Sequence, residues 1–161
     1  MNLYLSQQHF SWNDSFYVYD ENGNKLYYVE GEIQNWGKKL HIFDTLGNEK
    51  IFISQKMTSV LPRYTINMGS HTVAEVERQF LFKNEYRVTE LDWKVRGNFS
   101  DHNYFIENGR RVIASVCEKN IGLGDGYEIK ISFDSDELMA LSIVLVIDAC
   151  IEAKTTVWNH I

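Results

Sequence analysis

Residues 127–133 alternate strictly, with Tyr127, Ile129, Ile131 and Phe133 on one side of an extended chain and Glu128, Lys130 and Ser132 on the other. Side chains of a strand point to opposite faces with a period of two, so this stretch predicts a strand with a core face and a wet face. Residues 87–99 continue the theme as a single run, with Leu91, Trp93, Val95, Gly97 and Phe99 opposite Glu90, Asp92, Lys94, Arg96 and Asn98. Val112, Ala114 and Val116 share a face in the same way, as do Tyr27, Val29, Gly31 and Ile33. Many strands with one wet face each have to curl around something, because an open sheet would leave its edges and its apolar face in water.

Four segments of like shape supply the turns: "YVYDENGNKLYYV" from Tyr17, "HIFDTLGNEKIFI" from His41, "YTINMGSHTVAEV" from Tyr64 and "YFIENGRRVIASV" from Tyr104. Each is an apolar run, a short Asn/Asp/Gly turn and a second β-rich run, the signature of a hairpin. Gly23, Gly47, Gly69 and Gly109 are placed to supply the positive φ such turns need. The pattern is a weak repeat that describes a meander of hairpins.

One segment breaks the period of two. Residues 138–147 carry no charge, and only Ser142 is polar. Asp134 followed three positions later by Glu137 has the form of a capping box, so a helix is predicted to start there and to run over about residues 135–149. An uninterrupted run to Ile151 is too long for a usual strand of about 5–6 residues, although its β-branched residues would suit one. It is also too short for a bilayer, which takes about 20 apolar residues, because Asp148 and Glu152 interrupt it. A helix apolar on every side has to be buried on every side, and a closed barrel offers that place. Asp148 is then expected near the barrel mouth with a polar partner.

Composition sharpens this picture. The chain has 161 residues and a single proline, Pro62, with no linker or low-complexity stretch, so one domain over residues 1–161 is expected. Its 14% aromatic content favours pleated surfaces. A formal net charge of −6 and the lack of a Lys/Arg run argue against a general nucleic-acid binder. The opening "MNLYLSQQHFSWNDSF" has no basic leader followed by an apolar stretch, which gives a cytoplasmic address as the expectation. Cys117 and Cys150 lie far apart without a CxxC and read as buried thiols.

Catalytic chemistry is hard to find. His9, His41, His71, His102 and His160 are scattered, with no spacing that puts two on one face for a metal. Asp101-His102-Asn103 reads as a hairpin tip, Gly69-Ser70-His71 sets Ser and His side by side where a triad cannot form, and "GLGDG" from Gly122 lacks the lysine of a phosphate loop. Asp134-Ser135-Asp136-Glu137 is explained by the helix start without calcium. No cofactor or metal is implied. Trp12, Trp36 and Trp158, near turns or termini, are candidates either for a partner surface or for rim packing.

Four stretches in fixed order, "FYVYDENGNKLYYVEGE", "LHIFDTLGNEKIFI", "DWKVRGNFSDHNYFIENGRRVIASV" and "YEIKISFDSDELMALSIVLVIDA", resemble the LURP-one-related proteins. These belong to the tubby C-terminal-like superfamily, which includes the phospholipid scramblases. The resemblance covers nearly the whole chain and implies a closed antiparallel barrel of twelve strands around a central hydrophobic helix. The tubby members imply phosphoinositide binding at a basic Lys-x-Arg pair ahead of a hairpin, and Lys94-Val95-Arg96 stands in that place before "NYFIENG". This chain departs from tubby in being shorter and acidic overall. On the residues alone, the plainer reading of Lys94 and Arg96 is a wet strand face beside Glu90 and Asp92, where pairing needs no ligand. The expected function is a non-enzymatic binding or scaffold module for a protein partner or an anionic lipid-like ligand. The alternatives are an enzyme whose site is assembled from dispersed residues and a purely structural component of an oligomer.

Overall fold

The four repeated segments fold as hairpins in the structure, a computed structural model that describes residues 1–6, 15–34, 37–57, 61, 63–79, 85–120 and 125–159. The first joins β2 (Ser15–Tyr19) to β3 (Lys25–Gln34), and the second joins β4 (Gly37–Phe43) to β5 (Glu49–Gln55). The third joins β6 (Arg63–Met68) to β7 (His71–Arg78), and the fourth β10 (Asn103–Asn108) to β11 (Arg111–Asn120). With β1 (Asn2–Leu5), β8 (Glu85–Val88), β9 (Trp93–Asn98) and β12 (Asp125–Ile131) they form a twelve-stranded antiparallel meander. β1 pairs with both β2 and β12, so the sheet closes into a barrel and no edge is left open.

The predicted glycines take positive φ at all four tips, +81° at Gly23, +84° at Gly47, +61° at Gly69 and +59° at Gly109. In the first tip the Asp20 carboxylate accepts from the backbone N–H of Asn22 and Asn24, each at 2.8 Å, and Asp44 does the same for Leu46 and Asn48 in the second. The Asn24 side-chain amide, which also donates to Asp20 at 3.0 Å, leads in holding that carboxyl below the usual range, and the backbone bond from Asn48 leads for Asp44. The likeness of the hairpins runs deeper than their turns. Each returning strand carries one extra residue, Leu26, Lys50, Val73 or Ile113, in a β-bulge just past the tip. The bulge reverses the faces locally, which corrects one expectation: Val112 is exposed, and Ile113 enters the core beside Ala114.

Three other face assignments change. Residues 87–99 are not one strand but β8 and β9 with a tight turn between them, and Glu90 and Asp92 adopt φ of +73° and +54° in that turn. Phe133, half-exposed past the end of β12, lies under the Arg111 guanidinium at 3.9 Å from its ring centroid, and Ile33 near the end of β3 is also exposed. Glu128 faces outward as alternation requires, yet it is only 1% exposed because Lys119 and Lys130 close over it, with Lys119 Nζ at 2.5 Å. Both cysteines are free thiols, Cys150 buried and Cys117 half-buried.

The barrel is filled by its own C-terminus. A 3-10 turn at Asp134–Asp136 leads into α1 (Glu137–Asn159), and every residue from 140 to 150 is buried. Valines and isoleucines of α1 meet an inner wall that includes Leu3, Leu40, Ile53, Ile66 and Ile106 in one continuous core. Ser142, fully buried, donates its hydroxyl to the Leu138 carbonyl four residues back at 2.7 Å, so no polar group is stranded there. The capping box does not form. No side chain caps the 3-10 turn at Phe133, and the Glu137 carboxylate accepts from the Tyr27 hydroxyl, with burial the larger influence and raising its pKa. The helix also runs ten residues beyond its predicted end, because no Gly or Pro follows Asp148 to stop it and Glu152-Ala153-Lys154 are good helix formers. Among the described residues no helix is long and apolar enough to cross a membrane.

Candidate functional site

The tight turn between β8 and β9 decides what surrounds Lys94 and Arg96. Because the chain doubles back there, Arg87 lies directly across from Lys94, and Glu85 across from Arg96. Arg96 Nε donates to Glu85 Oε1 at 2.8 Å, while Arg87 and Lys94 form no ion pair among the described residues. The acid next to Arg87 on β7, Glu77, is held by Arg63 at 2.6 Å. Lys94 is half-buried, and Arg87 and Arg96 are exposed. The result is an outer row Glu77–Arg87–Lys94–Glu107 across β7 to β10, with Arg96 beside it, in which the like charges Arg87 and Lys94 sit directly opposite, a placement that is unfavourable by itself. Read as one strand, residues 87 and 94 lie about 23 Å apart, so Arg87 escaped the sequence reading. The reversal of parity between Val88 and Trp93, both buried, is the signal that would have found it.

A second cluster lies where α1 leaves the barrel. His102, in the turn between β9 and β10, places Nε2 3.1 Å from Asp148 Oδ1, and Tyr127 donates its hydroxyl to Asp148 Oδ2. The imidazole stacks on the Tyr127 ring, with centroids 4.8 Å apart and planes 13° apart. The expected partner of Asp148 is therefore found twice over. The bond to Asp148 raises the His102 pKa against the opposing effect of burial, and Glu118 and Asp101 add to the rise. Burial, with the nearby Asp148 charge second, pushes the Tyr127 and Tyr104 hydroxyls well up, so both stay neutral. His102, Tyr127 and Asp148 bond to one another across the β9–β10 turn, β12 and α1, which makes them a tie between the wall and the helix, while the buried Tyr104 hydroxyl near Asp148 has no hydrogen-bond partner among the described residues.

The remaining candidates are placed simply. Among the described residues no group of three or more His, Cys, Asp or Glu is arranged to hold a metal. Gly69, Ser70 and His71 form an exposed hairpin tip. Trp12, Trp36, His9 and His160, the start of "GLGDG" and the side chain of Trp158 lie outside the described residues.

Comparison with known proteins adds three findings. The family model described as LURP-one-related matches residues 1–148. The uncharacterized protein YxjI of Bacillus subtilis is 32% identical over 149 residues, covering 92% of each chain. The X-ray structure of a protein from Arabidopsis thaliana superposes with a TM-score of 0.62 at 15% identity, over 92% of this chain and 90% of that one, which shows a shared fold. With its barrel, its enclosed helix and this match over nearly its whole length, the chain belongs to the LURP-one-related family.

Proposed function

We propose that the protein works by binding and not by catalysis, and that its outer wall at β8–β9 takes an anionic group. α1 occupies the barrel interior, so a ligand meets side chains on the outside. The observation that carries the reading is the cross-strand pair Arg87 and Lys94, like charges opposite one another without an ion pair among the described residues, with Arg96 beside them. Lys94 and Arg96 project from one face about 7 Å apart, a spacing that grips a multiply charged head group, the guanidinium by forked hydrogen bonds and the ammonium as a point charge. An anion over Arg87 and Lys94 relieves their repulsion.

Vesicles carrying a phosphoinositide provide the test. Wild type is expected to be retained at low salt and released as salt rises, and both Arg87→Ala and the Lys94→Ala, Arg96→Ala double variant are expected to stay unbound. Arg87→Ala should melt with wild type or slightly above it, because it removes one of two opposed like charges, and the double variant somewhat below it, because Arg96→Ala takes the donor from the nearly buried Glu85, so retention is compared at a temperature where all three proteins are folded. Equal retention of wild type and variants, or retention of neither, rules the site out and moves the binding role to a protein partner.

A further inference from the structure

We infer that the opposite wall of the barrel holds a site for a cationic side chain, that of an arginine presented by a protein partner. β3 stands six strands round from β9, on the far side of the closed sheet. Between the core positions Val18, Val29 and Ile42, the outward residues of β2, β3 and β4 are aromatic: Tyr17 is the cross-strand neighbour of Tyr28, and Tyr28 that of Phe43. Their ring centroids follow at 5.2 and 6.2 Å, with planes tilted by 48° and 33°. A concavity of about 340 Å³ opens on these three rings, and Glu30 and Asp44 line it.

Two features separate this band from ordinary sheet packing. Aromatic cross-strand pairs stabilise sheets unaided, so the rings alone carry no ligand argument. The first feature is that the molecule already seats a cation there: Lys25 Nζ lies 4.1 Å from the Tyr17 ring centroid and lines the same concavity. The second is the charge around it. Glu30 and Asp44 line the site, and Glu32 and Glu49 bracket the neighbouring His41 at 3.2 and 2.5 Å. Ring faces are negative and attract cations, most strongly where carboxylates reinforce them, and a flat guanidinium stacks on them better than an ammonium does. Lys25 is thus an internal stand-in that an incoming arginine displaces. This site is independent of the anion patch.

The full-length protein is titrated with N-acetyl-arginine amide while the ring signals of Tyr17, Tyr28 and Phe43 are followed by NMR, with the neutral citrulline analogue and tetramethylammonium as further probes. The rings are expected to shift with the arginine amide and not with citrulline. Lys25→Ala, which empties the seat and removes a repelling charge, should bind about two- to fivefold tighter, and Tyr17→Leu weaker by a similar factor. Lys25 is exposed and Lys25→Ala removes no core contact, so that variant should melt with wild type, whereas Tyr17→Leu also loses the cross-strand ring contact with Tyr28 and should melt slightly lower. Unresponsive rings in wild type and Lys25→Ala alike, or citrulline binding equal to arginine, would overturn the site. Tetramethylammonium binding as tightly as the arginine amide would overturn its assignment to a partner's arginine.

Discussion

Gly97 pairs with Tyr104 across β9 and β10 at φ +142°, and a Cβ built there falls 2.6 Å from both the Asn103 carbonyl oxygen and Tyr104 Cα. Those are backbone atoms that cannot swing aside. Gly97→Ala is therefore expected to cost at least about 2 kcal/mol from strain and overlap together, lowering the melting temperature by about 4–8 °C for a chain of this size. An unchanged melt would show that the two strands do not approach so closely. His102 gives a pH prediction. Its folded pKa is raised, so its stabilising contribution is complete below about pH 6.5, its unfolded value, and fades as pH rises through the folded value. His41 adds the same sign, because the bonds to Glu49 and Glu32 outweigh the lowering by burial. Melting temperature should fall from pH 6 to pH 8, and His102→Gln should flatten part of that fall while His41 keeps the rest. A slope identical in His102→Gln would contradict the Asp148 bond. At this scale Asp148 was legible as a buried charge in need of a partner, but His102, 46 positions earlier, was not, because only the closed barrel brings the two together.

Within single elements, alternation read most faces correctly wherever a strand ran straight. It failed at bulges and tight turns, which change parity without changing composition: Val112 and Ile113 exchange places, and residues 87–99 fold in two. The greasy segment read well in its buried half and poorly at its ends, since the loss of apolar character marks where the barrel stops and not where the helix does. Leu145, fully buried in the middle of α1, tests that half. Burying a leucine contributes about 1.5–3 kcal/mol, and Leu145→Asp replaces that gain with an unpaired charge among apolar strands. The sum rivals a typical total stability of about 5–15 kcal/mol, so the variant should not fold. A soluble, cooperatively melting Leu145→Asp protein would place the helix elsewhere.

For the molecule as a whole, period-two strands, hairpin glycines and one apolar helix pointed to a barrel around a core helix, while the number of strands and the closure of β1 on β12 came from the family resemblance and stand in the structure. Closure depends on one short strand, β1, pairing with β2 on one side and with β12 on the other, a long-range event with no local signature in residues 2–5. Closure also leaves α1 filling the interior, which is why both proposed sites lie on outer walls, one at β8–β9 and one at β2–β4. The enclosure of α1 is thus the claim on which the rest depends, and native-state hydrogen exchange across a denaturant series tests it most directly. The amides of residues 140–150 should exchange only through global unfolding, with the same free energy and denaturant dependence as those of the central strands β4 and β5. Exchange of that segment through a smaller opening, while the strands remain protected, would mean that the helix leaves an intact barrel and would contradict the account.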